Sequence, residues 1–457
     1  MNKLISTNPA KNYEPIGEVQ ISTKQEIIDK VALANQAKVV WRKTDLQTRM
    51  DLVQNVYELL SSKKGEIAQL ITKEVGKTIT NSRNEMDYYL GHVEWCLANV
   101  EKAISPQIVD EGTDYLCQVE YELWGTVAVI SPWNFPFGMA MWGIIPNLLV
   151  GNTVVFKTSE ECPLAGRLLE DIFSQVEFPE GVFGVVHGDG VVGDILTDQD
   201  VDMIWFTGST KTGKYLYKKA GEKFIPALME LGGSSPAVVF EDVDVNQAVE
   251  TIFDARFYHC GQTCTAVKRV VVHESIYDEF ISKSKVKLDQ VVIGNPEDES
   301  TEIGPLTAKR QQKLAIEQIN DAKEKNADVY VGPSIDGFEG AYLQPVIVTN
   351  VTPDMRVWKE ETFAPILPVV SFSSEEEAVE LANNTQYGLN AQVLTKDMEK
   401  GLRVARAIKA GGLKVGERAP FSREMPFGGY KDSGMGREHG VIGMRQLCQI
   451  KSISLSK

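Results

Sequence analysis

The chain has 457 residues, of which 43% are hydrophobic and 24% charged, and its formal net charge at pH 7 is −16. This length accommodates roughly two or three domains, and the composition is that of a folded globular protein. The acidic balance argues against nucleic acid as a partner, because the chain has no excess of positive charge to release phosphate counterions. The six cysteines form no CxxC pair, and the N-terminus has no long apolar segment. These features favour reduced thiols, no secretory signal and a cytoplasmic location.

Residues 22 to about 104 are predicted to be helical. Ser22 and Gln25 match a capping-box pattern, and apolar residues follow at helical spacing from Ile27 onward. The segment 106–122 alternates apolar and polar side chains, which predicts a strand or hairpin. The uncharged run 123–156 is long enough for a membrane span, but its prolines and asparagines would leave polar groups unsatisfied in lipid. It therefore predicts a buried strand–loop–helix–strand unit, and no membrane is expected.

Strand-like and helix-like segments alternate from Gly125 onward. The predicted strands are 126–130, 153–157, 183–186, 203–207 and 236–240. This alternation predicts a parallel, doubly wound α/β sheet, which binds ligands at the carboxyl ends of its strands.

A second α/β pattern begins after residue 264. Its predicted strands are 268–273, 366–372 and 389–395, and its predicted helices lie near 276–291, 307–325, 374–384 and 397–410. The tail 448–455 alternates like an edge strand, which invites pairing with another subunit.

Three stretches could supply the groups needed for attack on a carbonyl. Cys264 follows Gly-Gln-Thr, between a predicted helix (245 to about 259) and a β-branched run; Glu230 precedes Leu-Gly-Gly; Asn134 stands within Pro-Trp-Asn-Phe-Pro. They offer a thiol nucleophile, a carboxylate base and a side-chain amide. Each has an ordinary interpretation when taken alone: a buried thiol, a solvated carboxylate at a strand end and a turn cap.

These stretches, together with 426–438, resemble the signature stretches of the NAD(P)-dependent aldehyde dehydrogenases, and the similarity runs over nearly the whole chain. The resemblance implies an α/β fold with a Rossmann-type cofactor domain, an α/β catalytic domain and a small β oligomerisation element. The implied bounds are 1–105 and 124–231 for the NAD-binding domain, 232–432 for the catalytic domain, and 106–123 with 433–457 for the oligomerisation element. A homodimer or homotetramer without a metal site is implied.

The resemblance also implies a mechanism. The Cys264 thiolate would attack the aldehyde, hydride would leave to nicotinamide, and the thioester would be hydrolysed. Glu230 would activate the hydrolytic water, with its pKa raised by desolvation, while Asn134 and the backbone N–H of Cys264 would hold the oxyanion. Relatives that transfer the acyl group to coenzyme A typically lack this Glu, so a free acid is favoured. For Glu438, an ion pair with a neighbouring Arg is favoured over a proton relay to Glu230.

Two stretches compete for the cofactor phosphates. Residues 188–193 match GxGxxG after a strand, but no acidic residue closes a following strand about 20 residues on. The resemblance instead places the pyrophosphate at Gly208 and Ser209, which open a helix, and the 188–193 turn near adenosine. Glu160 would repel a 2′-phosphate, which favours NAD and leaves NADP open. The other implied cofactor residues are Ser131, Trp133, Lys157, Gly190, Phe206, Leu231, Glu361 and Phe363.

The sequence does not identify which aldehyde is the substrate. The short N-terminus and the Leu-Gly-Gly-Ser-Ser-Pro stretch resemble the short bacterial branch that includes succinate-semialdehyde dehydrogenases, whose substrate needs a cation for its distal carboxylate. Where such relatives carry Arg, this chain has Trp142 and Tyr258, so Arg418 and Arg423 are the remaining candidates. Trp142, Tyr258 and Phe421 would equally suit a medium-chain or aromatic aldehyde. The further candidate substrate residues are Thr263, Thr265 and Phe427.

Two other hypotheses remain. A regulatory Cys260–Cys264 disulfide is possible if both lie on one helix, because i and i+4 Cα atoms then have a suitable separation. The alternative to an active enzyme is a binding protein that kept the aldehyde dehydrogenase fold after losing activity. The joint presence of Cys264, Glu230, Asn134 and Lys157 argues against it.

Overall fold

The structure is a computed structural model that describes residues 3–417 and 419–457. The helices are, in chain order, α1 (Lys24–Trp41), α2 (Leu46–Ser62), α3 (Lys64–Val75), α4 (Ile79–Ile104), α5 (Gly138–Val150), α6 (Pro163–Phe173), α7 (Gly190–Asp198), α8 (Thr210–Lys223), α9 (Val245–Phe257), α10 (Glu274–Asp289), α11 (Lys309–Glu324), α12 (Arg356–Lys359), α13 (Glu375–Asn383), α14 (Met398–Ala407) and α15 (Gly440–Gln446).

The strands are β1 (Lys3–Asn8), β2 (Glu14–Gln20), β3 (Gln107–Glu111), β4 (Tyr115–Leu123), β5 (Thr126–Ile130), β6 (Thr153–Lys157), β7 (Phe183–Val186), β8 (Met203–Thr207), β9 (Ala227–Glu230), β10 (Ser235–Val239), β11 (Val267–His273), β12 (Asp328–Val331), β13 (Val346–Thr349), β14 (Ile366–Phe372), β15 (Tyr387–Gly388), β16 (Asn390–Leu394), β17 (Gly412–Val415), β18 (Tyr430–Lys431), β19 (Gly434–Met435) and β20 (Cys448–Ser456).

The predicted helical region is confirmed as α1–α4, but its capping box lies one residue later than predicted. Thr23 accepts from the backbone N–H of Glu26, and the Glu26 carboxylate accepts from the backbone N–H of Thr23 at 2.6 Å. The Ser22 hydroxyl instead accepts from the backbone N–H of His187, just after β7. Both registers match the sequence pattern, and the contact between Ser22 and His187 explains why the later one forms.

The first sheet has the strand order β19-β9-β8-β5-β6-β7, with all neighbours parallel except β19 and β9. The strands β5 to β8 match the predicted bounds to the residue. One face buries apolar residues of α1, α7 and α8, and the other packs against α2, α4, α5 and α6. Because helices cover both faces, these strands are continuous apolar runs. The predicted doubly wound α/β architecture is confirmed.

The second sheet has the order β12-β13-β14-β11-β10-β16-β17 and is parallel apart from β12. The segment predicted at 236–240 is β10, which pairs with β11 and β16 in this sheet. Three other predicted strands correspond to β11, β14 and β16, whereas β12, β13 and β17 were not predicted. The carboxyl ends of the first sheet and the amino ends of β10, β11, β16 and β17 face a common space.

The C-terminal tail is confirmed as an edge strand. β20 pairs antiparallel with β4 along its whole length, and β3 completes a sheet of order β20-β4-β3. Ile450 and Leu455 on β20 are exposed. The outer edge of β20 therefore presents unpaired backbone groups.

The uncharged run 123–156 forms β5, α5 and β6, and all residues of these three elements are buried. The predicted strand–loop–helix–strand unit is confirmed. Among the described residues, every helix is too short or too polar to cross a membrane.

Candidate active site

A cavity of about 790 Å³ lies between the two large sheets. It is bounded by the loops after β5, β8 and β9 and by the amino ends of β10, β11, β16 and β17. The site residues predicted from the sequence that lie on its wall are Trp133, Asn134, Trp142, Gly208, Ser209, Leu231, Tyr258, Thr263, Cys264, Thr265, Glu361, Phe363, Phe421 and Phe427. Candidates for catalysis, cofactor binding and substrate binding thus share one cavity.

The other predicted site residues that the structure describes do not line this cavity. Ser131, Lys157 and Phe206 lie at or just after the carboxyl ends of strands in the first sheet, Glu160 follows β6, and Gly190 is the first residue of α7. Glu230 lies behind the wall and is described below.

Arg423 does not line the cavity. Its guanidinium donates to the backbone oxygen of Tyr88 at 3.0 Å and lies over the Tyr88 ring. The structure therefore does not bring this arginine to the substrate, contrary to one of the two sequence alternatives. Arg418, the other alternative, lies outside the described residues.

The Cys264 loop is shaped by a helix that ends earlier than predicted. α9 stops at Phe257, and His259 and Cys260 adopt left-handed backbone angles with φ of 49° and 55°. Gly261 follows with φ of 75°, and a Cβ there would lie 2.5 Å from the backbone oxygen of Ala364. Cys260 and Cys264 therefore do not lie on one helix, so the premise of the disulfide hypothesis is wrong. Both are free thiols.

Cys264 is half-buried on the cavity wall. Burial raises the pKa of its thiol to about 12, the carboxylates of Glu230 and Glu361 add to the increase, and the ammonium of Lys268 opposes it. Lys268 also donates to the backbone oxygen of Cys264 at 2.7 Å, which holds the loop. The thiol is therefore protonated at neutral pH and needs a proton acceptor before it can attack.

Asn134 is attached directly to the Cys264 loop. Its Nδ2 donates to the backbone oxygen of Gln262 at 2.9 Å. The fully buried side chain of Gln262 in turn accepts from the backbone N–H of Thr307 at 3.0 Å. An amide group has two N–H donors, so one remains for a ligand beside Cys264.

Glu230 is the last residue of β9 and is buried. Burial raises the pKa of its carboxyl to about 8, and the Arg437 guanidinium and the backbone N–H of Gly429 oppose the increase. A Cβ at Gly428 would lie 3.0 Å from Oε1 of Glu230, so the backbone of this turn approaches the carboxylate closely. A carboxyl with this pKa can act as a base near neutral pH.

Glu438 is the neighbour of Glu230. Burial raises the pKa of Glu438 well above the ordinary value, and the charge of Glu230 raises it further. Its carboxylate makes no ion pair with Arg437 or any other described residue. The ion pair favoured by the sequence is therefore wrong, and Glu438 is the member of this pair that stays protonated.

The two candidate phosphate loops differ in how their helices are capped. Asp189 caps α7, and its carboxylate accepts from the backbone N–H of Val191 at 2.9 Å. A fixed negative charge at this N-terminus disfavours a phosphate. Ser209 caps α8 with a neutral hydroxyl, the first turn of α8 has no acidic residue, and Gly208 and Ser209 lie on the cavity wall. The α8 terminus is thus the one suited to an anion.

Other side chains could hold the rest of a dinucleotide. Lys157 is buried at the end of β6, and its ammonium donates to the backbone oxygen of Thr158 at 2.9 Å. Glu361 accepts from Lys268 Nζ at 2.8 Å and from the backbone N–H of Gly233 at 3.0 Å. Its orientation on the wall is therefore fixed before any ligand binds.

Aromatic side chains form the wall on the side of Asn134 that lies towards α4. Trp142 is 5.3 Å from Phe427 and 5.9 Å from Tyr89 between ring centroids, and Phe135 stacks on Tyr258 at 6.3 Å.

The sequence analysis missed Tyr88 and Tyr89 of α4, Lys268, and the residues Asn390, Gln392 and Lys414 of β16 and β17. A polar residue within an otherwise apolar buried strand was the available signal for the last three.

Comparison with known proteins places this geometry in a family. The sequence model of the aldehyde dehydrogenase family matches residues 2–453. Aldehyde dehydrogenase 1A1 of Oryctolagus cuniculus is 34% identical over 455 residues, covering 98% of this chain and 91% of the relative. A putative aldehyde dehydrogenase of Staphylococcus aureus is 36% identical, covering 98% and 94%.

Solved structures agree with these matches. The betaine aldehyde dehydrogenase of Staphylococcus aureus in complex with NAD+ has a TM-score of 0.95 and 32% identity, covering 99% of this chain and 91% of that one. An E. coli NADP-dependent enzyme has the same TM-score and 32% identity, covering 100% and 95%. The chain belongs to the aldehyde dehydrogenase family, whose members are enzymes that act on aldehydes. The predicted family, fold class and enzyme class are confirmed.

Proposed function

We propose that this chain oxidises an aldehyde to a free carboxylic acid with NAD, through a thiohemiacetal and a thioester on Cys264. The observation that carries the proposal is the position of Asn134, whose amide is bonded to the Cys264 loop and shares the cavity wall with the thiol. Water in the cavity takes the proton of the Cys264 thiol, Sγ forms a bond to the carbonyl carbon, and the π electron pair of the C=O bond moves to the oxygen. The oxygen then receives hydrogen bonds from Asn134 Nδ2 and the backbone N–H of Cys264. When bound, NAD accepts the hydride that leaves this carbon.

Glu230 completes the reaction in this proposal. Its carboxylate takes a proton from water, the water oxygen bonds to the thioester carbon, and the bond to Sγ breaks to release the acid and the thiolate. The buried carboxyl with a pKa of about 8 supports this role, because it is ionised in a sufficient fraction of molecules near neutral pH. Hydrolysis is favoured over transfer to coenzyme A for the same reason.

NAD fits the residues that surround the cavity. We assign Gly208 and Ser209 to the pyrophosphate, Lys157 and Glu160 to the adenosine ribose, and Glu361 to the nicotinamide ribose. Ser131, Trp133, Gly190, Phe206, Leu231 and Phe363 are assigned to the surrounding contacts. The neutral cap of α8 and the absence of an acidic residue from its first turn support the first assignment, and the prealigned carboxylate of Glu361 supports the last.

We expect Glu160→Gln to raise the ratio of kcat/KM with NADP to kcat/KM with NAD by about 10-fold. A carboxylate repels the 2′-phosphate of NADP, and this repulsion is lost with the neutral amide. Initial rates at varied concentrations of each cofactor measure the ratio. The matched variant Glu160→Asp keeps the charge and is expected to keep the discrimination. An unchanged ratio in Glu160→Gln would contradict the role of this carboxylate.

The aromatic wall supports an aldehyde with an apolar body, such as a medium-chain or aromatic aldehyde. Trp142, Tyr258, Phe421 and Phe427 bound the space beyond Cys264, and Thr263 and Thr265 flank the thiol. Succinate semialdehyde is not supported by Arg423, which is bonded to α4 outside the cavity.

We also propose the three-part division stated above: residues 1–105 and 124–231 form the NAD-binding domain, 232–432 form the catalytic domain that carries Cys264, and 106–123 with 433–457 form the oligomerisation element. The exposed outer edge of β20 supports a homodimer or homotetramer that pairs this edge with another subunit. The six free cysteines support the cytoplasm as its compartment.

The function is tested by following NADH formation with hexanal and benzaldehyde while the carboxylic acid is quantified. We expect one acid for each NADH, with no requirement for coenzyme A. A rate that depends on added coenzyme A would overturn the hydrolytic proposal. Absence of turnover with a broad aldehyde panel would favour the alternative of a binding protein that has lost activity.

A further inference from the structure

A polar patch interrupts the cavity wall on the second sheet. Asn390 pairs with Gly412 and Gln392 with Lys414 in the parallel ladder between β16 and β17. Alternate residues of a strand share one face, so Asn390, Gln392 and Lys414 project from the same face. Ala391 and Val393, on the other face, pack into an apolar core with α13 and α14. We call Asn390, Gln392 and Lys414 the wall patch.

Lys414 differs from most charged side chains around the cavity because it is unpaired. Glu85 pairs with Lys77, Glu360 with Arg356, and Glu361 with Lys268. Within residues 3–417 and 419–457, the ammonium of Lys414 has no hydrogen bond or ion pair. Burial alone lowers its pKa, so Asp254, which lies on the same cavity wall, is not its partner.

The amides beside Lys414 also keep free hydrogen-bonding capacity. Nδ2 of Asn390 and Nε2 of Gln392 donate no hydrogen bond to any described residue. Two free amide donors and an unpaired ammonium on one wall indicate a ligand that carries negative charge and hydrogen-bond acceptors.

The wall patch is continuous with the aromatic wall. A Cβ at Gly412 would lie 2.4 Å from Oδ1 of Asn390 and 3.7 Å from Cε2 of Phe421. Phe421 packs edge-on against Phe427 at 5.7 Å. Phe427 in turn contacts Trp142 at 5.3 Å. An elongated molecule that reaches Cys264 along these rings would therefore place its far end at the wall patch.

We propose that Lys414, supported by Asn390 and Gln392, binds a carboxylate at the far end of the aldehyde substrate. The inference rests on the proposed function and deepens it, because it defines the substrate class as an ω-carboxy aldehyde with an apolar middle. A partly desolvated ammonium flanked by amide donors binds a carboxylate through charge-assisted hydrogen bonds. The aromatic rings contact the methylene groups between the two ends.

The test compares ω-carboxy aldehydes with neutral aldehydes of matched length in wild type and Lys414→Met. We use succinate, glutarate and adipate semialdehydes against pentanal, hexanal and heptanal. In the variant, kcat/KM for the best semialdehyde is expected to fall about 10- to 100-fold, mainly through KM, while the neutral aldehydes stay within about threefold. Lys414→Arg is expected to restore part of the loss because it keeps the charge.

Lys211→Met is the matched control. Lys211 is the other unpaired lysine on the cavity wall within the described residues, but it lies in the first turn of α8, beside Ser209. Its removal is expected to leave the ratio of semialdehyde to neutral aldehyde rates unchanged. An equal loss with both substrate classes in Lys414→Met would overturn the carboxylate role and assign Lys414 to structure.

A binding measurement separates this inference from the proposed function. Glutarate, the product of the five-carbon semialdehyde, is titrated calorimetrically into wild type and Lys414→Met without cofactor. Binding that weakens at least about 10-fold in the variant supports the wall patch even if no aldehyde is turned over, in which case only the proposed function fails. Equal glutarate affinity in the two proteins overturns the wall patch even if catalysis is normal. Tighter binding of a terminal phosphate than of a carboxylate would also overturn it.

Discussion

Replacing Cys264 with alanine is expected to lower aldehyde-dependent NADH formation by at least about 10⁴-fold with every substrate, because no other described thiol lies on the cavity wall. Without Sγ, no covalent bond forms to the carbonyl carbon, so the tetrahedral intermediate from which the hydride leaves does not form. The amide of Asn134 would remain in place, since its partner is the backbone oxygen of Gln262. The loss should therefore occur in kcat, with the cavity and its affinity for NAD preserved.

Cys260→Ala is the matched control for this experiment. Cys260 is four residues away but buried outside the cavity wall, with its pKa raised by burial to about 12. Its removal is expected to leave the rate within about threefold, and iodoacetamide should inactivate this variant as fast as wild type. The assignment of the nucleophile would be contradicted if iodoacetamide failed to inactivate Cys260→Ala. It would also be contradicted if Cys264→Ala kept more than about 1% of the wild-type turnover.

The bounds of β5 to β8 could be predicted to the residue because the apolar pattern that specifies a buried strand lies within each strand's own sequence. β5 to β8 are short apolar runs, β-branched in large part; β5, β6 and β8 are fully buried, and two of the four residues of β7 are. β9 was missed because its sequence, ALME, consists of good helix formers. It is a strand because β8 and β19 pair with its two edges, a tertiary effect that overrides propensity.

The same contrast between local sequence patterns and distant contacts explains which residues of the candidate site could be predicted. Cys264 and Asn134 stand in short loops directly after regular elements, so their sequence neighbours specify their positions, and the structure places both on one wall. Arg423 could not be assigned, because its direction is decided by the backbone oxygen and ring of Tyr88, which is distant in sequence. The end of α9 was predicted two residues late, since His259 and Cys260 adopt left-handed angles without a Gly or Asn to signal them.

We expect Glu230→Gln to convert the enzyme into one that completes only the first half of the reaction. The variant should release a burst of about one NADH per active site and then turn over roughly 10²- to 10³-fold more slowly than wild type. Gln has almost the shape of Glu but cannot accept the proton of the attacking water, so the thioester accumulates on Cys264. Rapid-mixing absorbance measures the burst, and mass spectrometry detects the acylated chain.

The pH dependence provides an independent readout of the same carboxyl. The base acts when deprotonated, and its pKa is raised to about 8. The rate of thioester hydrolysis in wild type should therefore rise as pH increases towards 8 and level off above it, and this inflection should vanish in Glu230→Gln. Glu438→Gln is the matched control: Glu438 stays protonated because its own pKa is raised well above the ordinary value, so a neutral amide reproduces its charge. The inflection should persist in that variant. If it disappeared there and survived in Glu230→Gln, Glu438 rather than Glu230 would be the base.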